Sequence, residues 1–184
     1  MLCNTKFYSL LARTTIGVTI VSAIAFAPLA HAITSDAEIK ASSPKILPAL
    51  SYNDEEGMQK PVKTDGKPLT ALHFWATWCV PCVDELVQVD QALKAYGNSG
   101  FNVIALSEDG VANIKKVKDF YGAHNITALK PNIDANMTAL QALKGRGLPT
   151  TIFLDKEGKE IARAEGAVDW TSKETTDFIE SHLK

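Results

Sequence analysis

In the body of the chain, Leu69 to Ala76 (Leu-Thr-Ala-Leu-His-Phe-Trp-Ala) is a mostly apolar run. It has strand length and no alternation, as a central strand buried on both faces requires. The pattern then changes period. From Pro81 to Tyr96, Leu86, Val89 and Leu93 fall on one stripe, which predicts a helix ending near Gly97-Asn98-Ser99-Gly100. Phe101 to Leu106 predicts a second apolar strand. Ala112 to Tyr121 predicts a helix carrying Ile114, Val117, Phe120 and Tyr121, stopped at Gly122. Pro131 to Asp134 reads as a short strand and Met137 to Leu143 as a short helix. Thr150 to Leu154, the turn Asp155-Lys156-Glu157-Gly158 and Lys159 to Ala164 form a hairpin. Ser172 to Leu183 is the last helix, with Ser172 as N-cap and Phe178, Ile179 and His182 or Leu183 facing inward. Strand–helix–strand followed by a hairpin and a helix calls for parallel strands with crossovers, then an antiparallel pair.

Before Leu69 the pattern is weaker. Ile33 to Lys45 is polar and reads as a linker. Ile46 to Tyr52 predicts a short strand, returning through Gln59 to Lys63 after the turn Asn53-Asp54-Glu55-Glu56-Gly57. The first 32 residues follow another grammar. Lys6 and Arg13 stand in a start without acids. Thr14 to Ser35 is an uncharged run of 22 residues, and Ala30-His31-Ala32 closes it. A basic start, an apolar middle and an A-x-A end predict a secretory signal peptide cleaved after Ala32. Roughly 20 apolar residues also suffice to span a bilayer, so residues 14–35 have the alternative of an inner-membrane anchor. Gly17, Thr19, Ser22, Pro28 and His31 make a poor span. Either way the body of the chain, residues 46–184, is placed outside the cytoplasm, in the periplasm or its equivalent.

Composition narrows the function classes. The 184 residues carry a net charge of −2. Without Lys6 and Arg13, 17 basic residues face 21 acidic ones. That balance argues against a nucleic-acid binder and against a polybasic membrane-surface protein. Of three cysteines, Cys3 lies in the basic start, and the exported part keeps Cys79 and Cys82. A bridge across so short a loop removes little chain entropy. The pair is therefore a candidate for redox or metal chemistry, not a staple.

Its placement supplies the chemistry. Trp75-Ala76-Thr77-Trp78-Cys79-Val80-Pro81-Cys82 joins an apolar strand to a helix start. Unpaired N–H groups and the helix dipole favour an anion at Cys79, and the thiolate is the attacking species. Cys82, one turn on, can resolve a mixed disulfide. Pro81 fits the first helical turn. Haem attachment needs His after the second cysteine, and Val83 stands there. A tetrahedral zinc site needs further ligands. Two thiolates could hold Cu(I), which keeps a copper-delivery protein open.

These residues, with Gly147-Leu148-Pro149-Thr150 downstream, resemble the thioredoxin superfamily, in its exported TlpA/ResA-like branch of thiol-disulfide oxidoreductases. The likeness runs from Ile46 to Lys184. It includes an insert from Ser107 to Arg146 and the stretch Glu165-Gly166-Ala167-Val168-Asp169-Trp170. The resemblance implies an α/β thioredoxin fold: a central mixed sheet flanked by helices, an N-terminal hairpin and a central αβ insert. It implies a protein-disulfide reductase without a bound cofactor, whose redox centre is the Cys79–Cys82 disulfide. Its partners would be exported protein disulfides, such as those of cytochrome c or oxidase assembly, and a membrane thiol-electron carrier that re-reduces it.

By position, Pro149 matches the family's cis-proline, exposing the Leu148 backbone to a substrate strand, with a plain strand-start proline as the alternative. Glu85 matches the active-site glutamate that relays the proton of Cys82, with a solvated helix acid as the alternative. Thioredoxins carry a buried acid six residues before the first cysteine, and this chain has His73, a proton carrier or a core histidine. Trp78 borders the pair. A peroxidase of peroxiredoxin type is the remaining alternative, although Thr77 stands only two residues before Cys79, where those proteins keep a Pro-x-x-x-Thr-x-x-Cys motif.

Overall fold

The computed structural model describes residues 37–184. The signal or anchor reading of the first 32 residues, and Cys3 with it, falls outside them. An eight-stranded sheet is built from β1 (Lys40–Ile46), β2 (Ser51–Asn53), β3 (Gln59–Pro61), β4 (Leu69–Trp75), β5 (Phe101–Ser107), β6 (Asn132–Ile133), β7 (Thr150–Asp155) and β8 (Lys159–Glu165). Its spatial order is β1-β8-β7-β4-β5-β6-β2-β3. The helices are α1 (Val80–Tyr96), α2 (Ile114–Ala123), α3 (Thr138–Ala142) and α4 (Lys173–His182). β4 runs parallel to β5, and β5 to β6, across helical connections. β7 is antiparallel to β4, and β8 to β7. This is the expected mixed α/β sheet flanked by helices, with the β2–β3 hairpin and the insert in place.

β4 is central because every one of its residues is buried. Strand periodicity sorts its side chains to two faces. Leu69, Ala71 and Trp75 join a cluster with Leu86 and Val89 of α1, Val117 of α2 and Ile179 of α4. Leu72 and Phe74 join a second cluster with Leu140 of α3 and Leu154 of β7. Odd positions of β4 therefore look toward the helix that follows the cysteine pair. β8 alternates between half-buried and buried, as a strand packed on one face does. Ser172 caps α4, its hydroxyl accepting from Thr175 N at 3.2 Å, a contact worth about 1 kcal/mol.

Two expectations for the N-terminal part need correction. Residues 40–45 of the supposed linker, with Ile46, form β1, antiparallel to β8, with a register shift between Ala41 and Lys45. The strand is almost wholly exposed and gains its stability from ladder bonds, so it leaves no apolar signature. Pro44 is tolerated because the strand is at a sheet edge. The strand expected from Ile46 to Tyr52 is broken. Ile46 ends β1, and β2 begins only at Ser51, after Pro48, which offers no N–H to a ladder.

Candidate active site

β4 ends by delivering Trp75-Ala76-Thr77-Trp78 to the start of α1. The connection is held from both sides. Cys79 N donates to Ala76 O at 3.1 Å, and Glu108 N donates to Trp75 O at 2.8 Å. Asp109, just past β5, accepts from Thr77 N at 2.8 Å, from the Thr77 hydroxyl and from the Ser107 hydroxyl at 2.7 Å. Lys116 Nζ pairs with it at 3.0 Å. Burial works to raise the Asp109 carboxyl, but these donors outweigh it and hold the group below its usual range.

Cys79 occupies the N-cap of α1 in extended conformation, with Val80 and Pro81 as the first helical residues. Its carbonyl accepts from Cys82 N at 3.0 Å and Val83 N at 3.3 Å. The two sulfurs are bonded as a disulfide. Cys79 retains 7% of its surface and Cys82 none. Trp78 and Val80, either side of Cys79, are 60% and 79% exposed. They frame the more accessible cysteine with apolar surface.

The Leu148–Pro149 peptide is cis. Leu148 packs against the apolar cluster that contains both cysteines. Pro149 O accepts from Gly166 N at 2.8 Å, and Thr150 Oγ1 donates to Gly147 O at 2.7 Å. Beside this peptide lies a groove of about 300 Å³ lined by Arg146, Leu148, Thr150 and Glu165.

Glu85 is wholly buried, not a solvated helix acid. Its Oε1 accepts from Val168 N at 3.1 Å and Trp170 Nε1 at 2.8 Å. Oε2 has no hydrogen-bond partner among the described residues. Burial pushes the carboxyl up to about 7, against the lowering effect of the two donors. A carboxyl one helical turn beyond Cys82 is thus balanced between its acid and base forms near neutral pH.

His73 is also wholly buried. Its Nδ1 pairs with Thr151 Oγ1 at 2.9 Å, and Nε2 has no partner among the described residues. Burial lowers the imidazole to about 3, so it stays neutral in the physiological range. The Trp170 ring lies edge-on to it at 6.2 Å. His73, Trp170 and Glu85 form one buried group, and Trp170 belongs to the apolar cluster that holds both cysteines.

Sequence reasoning missed four residues here. Trp170 was noticed only as part of a resemblance. Asp109 and Glu108 follow the end of β5, and the C-terminal ends of neighbouring parallel strands are where sites gather, which was the available signal. Asp90, on α1, accepts from Thr127 N, Ala128 N and Leu129 N at 3.2, 2.7 and 2.9 Å, tying the insert to the helix. Nothing in its spacing foretold that.

Comparison with known proteins agrees with this geometry. The Redoxin family matches residues 42–179. A thiol-disulfide oxidoreductase ResA from Bacillus thuringiensis subsp. konkukian is 28% identical over 140 residues, 76% of this chain and 76% of the relative. The ResA of Geobacillus thermodenitrificans is 26% identical over 180 residues, 97% of each. A solved thiol:disulfide interchange protein of the thioredoxin family from Chlorobium tepidum TLS has a TM-score of 0.60 at 21% identity, covering 78% of this chain and 99% of that one. A cysteine pair at the head of α1 and a match across nearly the whole described domain lead to one assignment: the chain belongs to the Redoxin family and is a ResA-like thiol-disulfide oxidoreductase of the thioredoxin superfamily.

Proposed function

We propose that the protein is a disulfide reductase for exported proteins, acting outside the cytoplasm. One observation carries the reading: Cys82 and Glu85 lie one turn apart on α1, both wholly buried, behind a Cys79 that keeps some surface. That arrangement separates an attacking thiol from a resolving thiol with its own proton acceptor.

The Cys79 thiolate attacks a client disulfide, forming a mixed disulfide and expelling one client thiolate. The Cys82 thiol gives its proton to the Glu85 carboxylate. The Cys82 thiolate then attacks the Cys79 sulfur, forming the Cys79–Cys82 disulfide and expelling the second client thiolate, which takes up a proton. Two electrons pass to the client, and the pair is left oxidised. An extended client segment pairs with the Leu148 backbone beside Pro149, against the apolar surface of Trp78 and Val80. A membrane thiol-electron carrier restores the dithiol. Residues 1–32 serve as the export signal, or 14–35 as an anchor. Clients of cytochrome c or oxidase assembly fit this scheme.

The direction follows from Val80-Pro81 between the cysteines. No cation there stabilises the thiolate, so the disulfide form is relatively favoured. Equilibration in glutathione and dithiothreitol buffers is expected to give a potential of roughly −270 mV. A value near the roughly −120 mV of a strong oxidant would make the protein a disulfide donor. Cys82→Ser is expected to accumulate mixed disulfides through Cys79, identifiable by mass spectrometry of the trapped clients.

A further inference from the structure

We propose that Trp170 is a positioning residue for thiol exchange: its indole N–H holds Glu85 Oε1, leaving Oε2 as the oxygen that takes the proton of Cys82. The inference rests on the proton-relay reading of Glu85 and adds what sets that relay.

The indole is itself fixed. Trp170 N donates to Gln88 Oε1 at 2.9 Å, pinning the β8–α4 loop to α1. Around the ring lie Phe101 at 6.3 Å, Phe153 at 6.0 Å and His73 at 6.2 Å between centroids. Trp170 is 3% exposed. An N–H so enclosed needs an acceptor, and Glu85 Oε1 at 2.8 Å is the one it has. Val168 N uses the same oxygen. Both donors therefore converge on Oε1, and Oε2 keeps its lone pairs for the thiol at i−3 on the same helix face.

Other titratable groups around Glu85 leave this control to the donors. On α1, Cys82 is the reacting thiol and Asp84 is exposed. On β4, His73 is neutral. On the β8–α4 loop, Asp169 turns away to Thr171, accepting from its N–H at 2.9 Å. Among the described residues, the Trp170 and Val168 donors are what oppose the effect of burial on the carboxyl.

The experiment follows resolution of a preformed mixed disulfide against pH in the full exported domain. In the wild type, the rate falls on the acid side as Glu85 gains a proton, near pH 7. Trp170→Phe keeps an aromatic ring and removes the donor. Its acid limb is expected about one pH unit higher, because a hydrogen bond to a charged group is lost. At pH 7 that is a slowing of about fivefold. In a Glu85→Gln background, Trp170→Phe should change neither limb nor rate. If Trp170→Phe lowers the rate equally at every pH, Trp170 is merely structural and the inference is overturned. If Glu85→Gln leaves the acid limb intact, the relay reading itself fails. Should Trp170→Phe not fold, benzothienylalanine at position 170 keeps the indole shape without the N–H, and the same limb shift is required of it.

Discussion

Two buried glutamates flank the cysteine loop, and they differ in what surrounds them. Glu85, behind Cys82, has two donors on one oxygen, and its carboxyl sits at about 7. Glu108, whose N–H holds the strand end before Thr77, is 8% exposed, and neither carboxyl oxygen has a donor facing it among the described residues. Burial, then the neighbouring Asp134 and Asp109 carboxylates, push it up to about 9. Burial beside other carboxylates makes a group that keeps its proton; burial with donors aimed at the carboxylate leaves it where a proton can move both ways.

The largest test of this contrast is kinetic. Glu85→Gln is expected to slow resolution of the mixed disulfide about 100-fold and to flatten the acid limb near pH 7. Glu108→Gln should stay within about twofold in the same stopped-flow assay, since a neutral amide replaces a neutral acid. Comparable slowing by both would erase the distinction.

The next effect is on stability. Both folded-state values lie above the ordinary 4.5. The native chain therefore holds protons that the unfolded chain has released, and stability falls as pH rises. For Glu85 the fall runs from about 4.5 to about 7; for Glu108 it continues to about 9. In the oxidised protein, the Glu85→Gln denaturation midpoint should match the wild type at pH 4 and exceed it at pH 8, by on the order of 3 kcal/mol in stability. Glu108→Gln should gain further between pH 7 and 9, where Glu85 adds nothing more. A gain already complete at pH 7 would place the two glutamates in one class.

A smaller effect separates charge from capping. Asp134 accepts from Ala139 N at 2.9 Å and Leu140 N at 2.9 Å, closing the start of α3. Asp134→Asn turns these charge-assisted bonds into neutral ones, costing on the order of 1 kcal/mol, and removes the charge beside Glu108. The loss should be clear at pH 5 and smaller at pH 9, where easier ionisation of Glu108 offsets it. A pH-independent loss would show that Asp134 acts on α3 alone.

The sheet and its functional end were readable where burial leaves a periodic mark. β4, α1, β5 and the β7–β8 hairpin came through within a residue or two of the expectation. So did the cysteine pair at the helix head, because three residues of spacing and one proline specify it. β1 did not, since its residues Lys-Ala-Ser-Ser-Pro-Lys-Ile are chosen by a ladder and not by a core. Glu85 stands on the expected helix, but its burial could not be seen: the wall that closes over it, Val168 to Trp170, lies more than 80 residues away. His73 shows the same limit. Its hydroxyl partner Thr151 comes from β7, and only the fold brings them together.

The two outer strands of the sheet share a feature with a consequence for traffic. β1 carries Lys40, Pro44 and Lys45 at one border; β3 carries Lys60 and Pro61 at the other. An open sheet edge is a hydrogen-bonding template for any extended segment that meets it. Lysines and prolines make both borders poor templates. Misdirected annealing is suppressed where no sulfur waits. The sheet is thereby kept from growing edge to edge with other chains or with copies of itself.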